Sequence, residues 1–171
     1  MPLRRALLFF PLVLVLLWFT WRWSALPEQF ATSFDFRGRS RDAMGRTGYM
    51  ALSLGMLAGT AALFGGLATW LPNIPAAWVN LPEKQYWLAP ERRAETMGRL
   101  AVFLDVVGLA LCVMLAALFV AIGEHAITGA ERFPPSWLAA PVVLLVLTGF
   151  GVAWLDRPFR ERRRAVRARP R

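Results

Sequence analysis

Two residue types are almost missing from this chain of 171 residues: it holds one cysteine, Cys112, and one histidine, His125. A single cysteine, set inside an apolar run, excludes a disulfide framework and any cysteine-based metal site within one copy. A zinc site of the usual kind needs several His or Cys ligands, so His125 cannot build one alone, even with Glu124, Asp35 and Asp42 on the same side. Lysine is as scarce, and 19 of the 20 basic side chains are arginine. Serines are few (Ser24, Ser33, Ser40, Ser53 and Ser136), and none lies in a nucleophile-elbow pattern; no glycine-rich phosphate loop occurs. These absences argue against an enzyme. No catalytic residue, cofactor or metal is assigned.

What the chain has in excess is apolar surface and positive charge: 57% of it is hydrophobic, the mean hydropathy is +0.43 and the net charge is +9. A soluble domain of this length is usually less than half apolar. The excess falls in four blocks, 6–23, 49–70, 100–123 and 136–155, each close to the roughly 20 residues that cross a bilayer as a helix. The expected fold is an all-α integral membrane protein, a four-transmembrane-helix bundle forming one domain. Between the first two spans lies a short structured loop, 24–47. Because the arginines flank apolar spans, the expected partner is lipid and not nucleic acid.

The N-terminus is basic and then apolar, as a signal peptide is, but the run ends in Trp18, Trp21 and Trp23, an interfacial anchor and a poor cleavage site. It is read as an uncleaved first span, with Pro11 a potential kink. In the loop, 29–36 suits a short extended segment, with a turn over 36–39 and a helical lead-in over 42–48. The second span carries small residues every four positions: Ala51, Gly55 and Gly59 on one stripe, Ala58, Ala62 and Gly66 on the next. Small residues let helix backbones approach in lipid, so Gly55, Gly59, Ala62 and Gly66 are the expected packing positions, within one chain or in a dimer.

Segment 71–90 holds Pro72, Pro75, Pro82 and Pro90, too many for a regular helix, although a short one fits around 76–80. Pro90 suits the first turn of a long helix of about 34 residues, roughly 50 Å, which must project into water at its start. A short turn over 124–135 leads to the fourth span, whose Trp137 and Trp154 lie about 25 Å apart along a helix, close to the hydrocarbon thickness. The tail, 156–171, carries eight arginines. Among them Arg160, Arg162, Arg163 and Arg164 are expected at anionic headgroups.

With four spans both termini share a side, and that side holds 14 basic residues against 6 on the other. The positive-inside rule then sets both termini in the cytoplasm and the 26–42 loop outside. Asp105 is the one charge well inside a span. It costs about 2.5–3.5 kcal/mol on insertion scales and needs a partner. Thr69, Arg4 and Arg5 are candidates. A polar clasp, an ion or proton pathway and a near-interface position are the alternatives.

The order Leu26-Pro27, aromatic and small residues, Phe34-Asp35, Gly38, Asp42, then a span resembles the loop module of the bacterial SdpI-like immunity family. The module covers about a third of the chain, residues 10–60. Members commonly have histidine before the Phe; here Ser33 stands there, which removes any imidazole from that position. Trp87-Leu88-Ala89-Pro90-Glu91-Arg92-Arg93 is similar to a feature of four-span relatives. The resemblance implies a non-catalytic multi-pass protein of a bacterial inner membrane, in immunity or envelope sensing, with Phe34, Asp35, Gly38 and Asp42 contacting a peptide or membrane-protein partner. Alternatives from the residues alone are an accessory or scaffold subunit of a larger membrane complex and a minimal transporter centred on Asp105.

Overall fold

The computed structural model describes residues 2–35, 37–81, 84–130, 146, 148–151 and 157. The expected fourth span, 136–155, lies almost wholly outside these residues. So does the tail with Arg160, Arg162, Arg163 and Arg164, apart from Arg157. The described chain is mostly helical: α1 Pro2–Ala6, a 3-10 turn Leu7–Phe9, α2 Phe10–Arg22, strands β1 Gln29–Ala31 and β2 Ala43–Gly45, α3 Arg46–Trp70, two 3-10 turns Leu71–Asn73 and Ala76–Trp78, α4 Lys84–Trp87 and α5 Pro90–Thr128. Three helical stretches are long and apolar enough to cross a membrane: Leu3–Arg22, Arg46–Asn73 and Pro90–Thr128.

Pro11 explains the break between α1 and α2. It has no N–H for the Leu7 carbonyl, and its ring crowds that carbonyl. The Phe10 N–H bonds Leu7 O instead, tightening one turn to 3-10 geometry. At the far end, α5 begins at Pro90, where the missing N–H is no loss, and Glu91 lies in the first turn. It ends at Gly129, whose φ of 65° is left-handed and whose N–H bonds His125 O. The helix therefore runs 39 residues, about 58 Å. The expected stop after Gly123 is corrected, because residues 124–128 continue the ladder until the first glycine able to cap it.

The expected helical lead-in over 42–48 holds for 46–48, the first turn of α3, and is corrected for 43–45. Residues 43–45 pair antiparallel with 29–31, in the register Gln29↔Gly45, Phe30↔Met44, Ala31↔Ala43, and α3 starts directly after. Of the expected extended segment 29–36, residues 29–31 form β1 and Phe34 makes an isolated bridge to Ser40; in the expected turn 36–39, Gly38 takes a positive φ, and Phe36 lies outside the described residues.

The core runs along the helices, from Leu8 through Val15, Leu57, Ala61 and Cys112 to a cluster of rings at the hairpin end. Tyr49 is 1% exposed and lies edge-on to Phe19, Phe30 and Phe119, with centroid distances of 6.0, 5.0 and 6.1 Å. Its hydroxyl donates to Phe119 O at 2.8 Å, satisfying a group that would otherwise be stranded in an apolar interior. One ring thus joins the first span, the hairpin, the second span and the third.

Candidate functional site

The hairpin is held by its own polar side chains. Asp35 Oδ1 accepts from the backbone N–H of Arg37 at 2.8 Å and of Arg39 at 2.9 Å, while the Gly38 N–H reaches Asp35 O at 2.9 Å. Gly38 takes φ 74°, a conformation that costs a side-chain-bearing residue energy and glycine almost nothing. Phe34 and Ser40 bridge the two arms. Below the turn, Ser33 Oγ donates to Asp42 Oδ2 at 2.7 Å and accepts from the Asp42 N–H at 3.1 Å. Asp35, Gly38 and Asp42 therefore shape the turn. The backbone N–H of Arg39 is the main cause that holds the Asp35 carboxyl below the usual carboxylate range. Partial burial opposes it, and the Arg37 N–H and the guanidiniums of Arg39 and Arg41 reinforce it.

Phe34 does something different. Its ring meets His125 of α5 edge-on, with centroids 5.2 Å apart, and so docks the hairpin onto the helix end. Phe30 docks the other arm against Tyr49. Arg46 stacks on the Trp23 ring at 4.9 Å, closing the base of the loop. Arg37, Arg39 and Arg41 are exposed on the hairpin.

Two ion pairs tie the first and third spans. Arg4 Nε donates to Asp105 Oδ2 at 2.6 Å, with Asp105 2% exposed, so the sequence alternative of a polar clasp through Arg4 describes the geometry. Arg5 Nη2 donates to Ala68 O at 3.2 Å, while Thr69 bonds Gly65 O and leaves Asp105 alone. At the hairpin end, Arg22 grips Glu124 with Nε at 2.9 Å and Nη2 at 2.6 Å, and Trp18 Nε1 adds a third bond at 2.8 Å. The sequence alone suggests capping and interfacial solvation, or with His125, Asp35 and Asp42 a metal or acid–base site, for Glu124, and does not reveal this pairing. The available signal was its spacing, because Arg4 to Arg22 and Asp105 to Glu124 advance nearly equally, as two parallel helices require.

The glycines divide unexpectedly. A Cβ on Gly55, Gly59 or Gly66 would meet nothing within 4 Å, and these three with Ala62 are exposed. The buried line of α3 is Tyr49, Ser53, Leu57, Ala61 and Ala68. At 100° per residue it lies on the opposite face. The stripe therefore faces away from the other described helices, and the expected fourth span lies outside the described residues. Close approach is made on α5: a Cβ on Gly108 would lie 2.5 Å from Phe64 Cβ, and one on Gly123 would collide with the Trp18 ring. An aromatic knob from another helix decides each, which local spacing on α3 cannot reveal.

The Trp87–Arg93 run builds the joint into α5. Thr96 Oγ1 donates to Trp87 O at 3.0 Å, Arg92 stacks on Tyr86 at 4.1 Å, and Arg93 Nη2 reaches back to Ile74 O at 2.7 Å. Among the described residues, no three His, Cys, Asp or Glu side chains converge on a common point. An open apolar groove of about 310 Å³ runs between Leu16, Phe19, Thr20, Trp23 and Met50. No family model, curated protein or solved structure matches the chain.

Proposed function

We propose that this chain is a non-catalytic, multi-pass protein of a bacterial inner membrane, SdpI-like in type, that recognises an envelope component or secreted peptide through its 26–42 loop. Both termini are cytoplasmic in this reading, a fourth span follows α5, and the basic tail lies on anionic lipid. The observation that carries the reading is the hairpin itself. It is a small, hydrogen-bonded platform, fixed to the helix ends by Phe30 and Phe34, with three arginines exposed on it. A rigid loop loses little entropy on binding, and outward guanidiniums favour an anionic partner. In the resemblance, Phe34, Asp35, Gly38 and Asp42 are contact residues. Their geometry supports a narrower role, shaping and docking the platform, with contact made by the arginines.

The reading is tested in a deletion strain complemented with full-length variants. Changing Arg37, Arg39 and Arg41 together to Gln should abolish rescue while membrane level is unchanged. Asp35→Ala with Gly38→Val should do the same by collapsing the turn. Full rescue by both would remove the hairpin from the function.

The outward small-residue stripe favours a second reading, an accessory subunit packed against another membrane protein through Gly55, Gly59, Ala62 and Gly66. Leucine at Gly59 and Gly66 should then release a cross-linked neighbour. A monomer in native membranes would contradict it.

A further inference from the structure

The end of the bundle opposite the hairpin carries a polar cluster whose hydrogen bonding is incomplete. Asp105 is 2% exposed, yet only its Oδ2 is bonded, to Arg4. Asp105 Oδ1, Arg4 Nη2 and Arg5 Nε are all buried, and none has a hydrogen-bond partner among the described residues. Buried polar atoms are rarely left so. Arg4 is paired with Asp105, whereas among the described residues the Arg5 guanidinium bonds the Ala68 carbonyl and no carboxylate, which leaves one positive charge there that water can solvate but cannot neutralise.

Depth narrows the ligand. Arg4 lies about 27 Å along the helix from Arg22, close to the hydrocarbon thickness. The cluster therefore sits at one headgroup boundary and the Arg22–Glu124 clasp at the other. Arg4 is 34% exposed, so its side chain reaches the surface although its Nη2 is buried, and a headgroup gains the buried atoms when that side chain turns outward. Leu3 and Leu7 beside it are 78% and 47% exposed, an apolar flank at the level where acyl chains begin.

We propose that Arg4, Arg5 and Asp105 bind the phosphodiester headgroup of a singly anionic, hydroxyl-bearing lipid, phosphatidylglycerol in chemistry. Phosphate oxygens accept from Arg4 Nη2 and Arg5 Nε, and a headgroup hydroxyl donates to Asp105 Oδ1. The single negative charge balances the cluster. A choline headgroup has neither the net charge nor the donor. The site is separate from the arginine tail and rests on the membrane placement proposed above.

The test is native mass spectrometry of the full-length protein released from detergent, titrated separately with phosphatidylglycerol, phosphatidylmethanol, phosphatidylcholine and inorganic phosphate. Phosphatidylglycerol should bind best. Phosphatidylmethanol, equally charged but without the hydroxyl, should bind several-fold more weakly, and inorganic phosphate should not compete at equal concentration. Arg5→Gln should lose about tenfold in affinity for phosphatidylglycerol, with unchanged helical circular dichroism. A variant with Arg162, Arg163 and Arg164 all changed to Gln should keep the Arg5-dependent component. Equal binding by wild type and Arg5→Gln, competition by phosphate alone, or loss only in the tail variant would each overturn the site. The phosphatidylmethanol comparison needs no variant and stands even if Arg5→Gln misfolds; equal binding of the two lipids there overturns the hydroxyl contact. Extraction of the protein without detergent would instead fail the membrane placement, an outcome distinguishable from all of these.

Discussion

The two ends of the first and third spans solve one problem in different ways. At the hairpin end, Arg22 and Glu124 are about one-third exposed, and both carboxylate oxygens are bonded. At the other end, Asp105 is buried and makes one bond, and Asp105 Oδ1, Arg4 Nη2 and Arg5 Nε have no partner among the described residues. The first clasp is complete within the chain and near water, where an ion pair contributes little to stability. The second is deeper, incomplete and more consequential, because a buried charge without its partner is costly. Equal spacing along parallel helices makes the pairs look equivalent; burial and hydrogen-bond saturation make one a fastener and the other a candidate binding site.

Breaking the pairs one side at a time should expose that difference. Arg4→Ala strands a carboxylate that is 2% exposed, and its expected cost is about 3–5 kcal/mol. Asp105→Ala releases a guanidinium already 34% exposed, which reaches water, so the loss should be nearer 1 kcal/mol. Equilibrium unfolding in mixed micelles measures both, and equal losses would mean that the carboxylate is not buried as described. A comparison on the glycines comes next. Gly108→Ala drives a methyl into Phe64 and should cost about 1–3 kcal/mol, whereas Gly59→Ala in the same assay should fall within about 0.5 kcal/mol. The reverse order would restore the α3 stripe as the internal seam.

Glu124→Gln keeps the shape of the hairpin-end clasp and removes its charge. A loss of about 1 kcal/mol is expected, shrinking as salt is raised. Insensitivity to salt would show the Trp18 bond, not the ion pair, to be what matters there. The smallest effect concerns the turn. The folded-state pKa of Asp35 lies below its unfolded value, so its contribution is present above the ordinary carboxylate range and is lost as pH falls through the folded value. Hydrogen exchange at the Arg37 and Arg39 amides should therefore lose protection only once the pH has fallen below the ordinary carboxylate range, and Asp35→Asn should remove that acid dependence.

Much of this was legible without coordinates. Apolar run length located three helices, Pro90 marked the start of the longest, and an aspartate inside an apolar run demanded a partner that proved to be Arg4. Phe36 to Arg39 announced a turn because Gly38 can take a positive φ. Long-range matching was less legible. Which helix face is buried depends on what the neighbours project: Trp18 and Phe64 choose Gly123 and Gly108, whatever the four-residue rhythm on α3 suggests. The pairing of 43–45 with 29–31 was hidden for the same reason, since Ala43-Met44-Gly45 has little strand character until Phe30 is opposite it.

The central claim is that helices cross a bilayer with the hairpin and the Arg22–Glu124 clasp on the outer side. Cys112 is buried and 1% exposed, so an added surface cysteine reports alone. Intact cells carrying Arg39→Cys or, separately, Arg93→Cys would be treated with a membrane-impermeant maleimide. The account predicts labelling of the first in intact cells and of the second only after lysis; labelling of Arg93→Cys in intact cells with Arg39→Cys protected would contradict it.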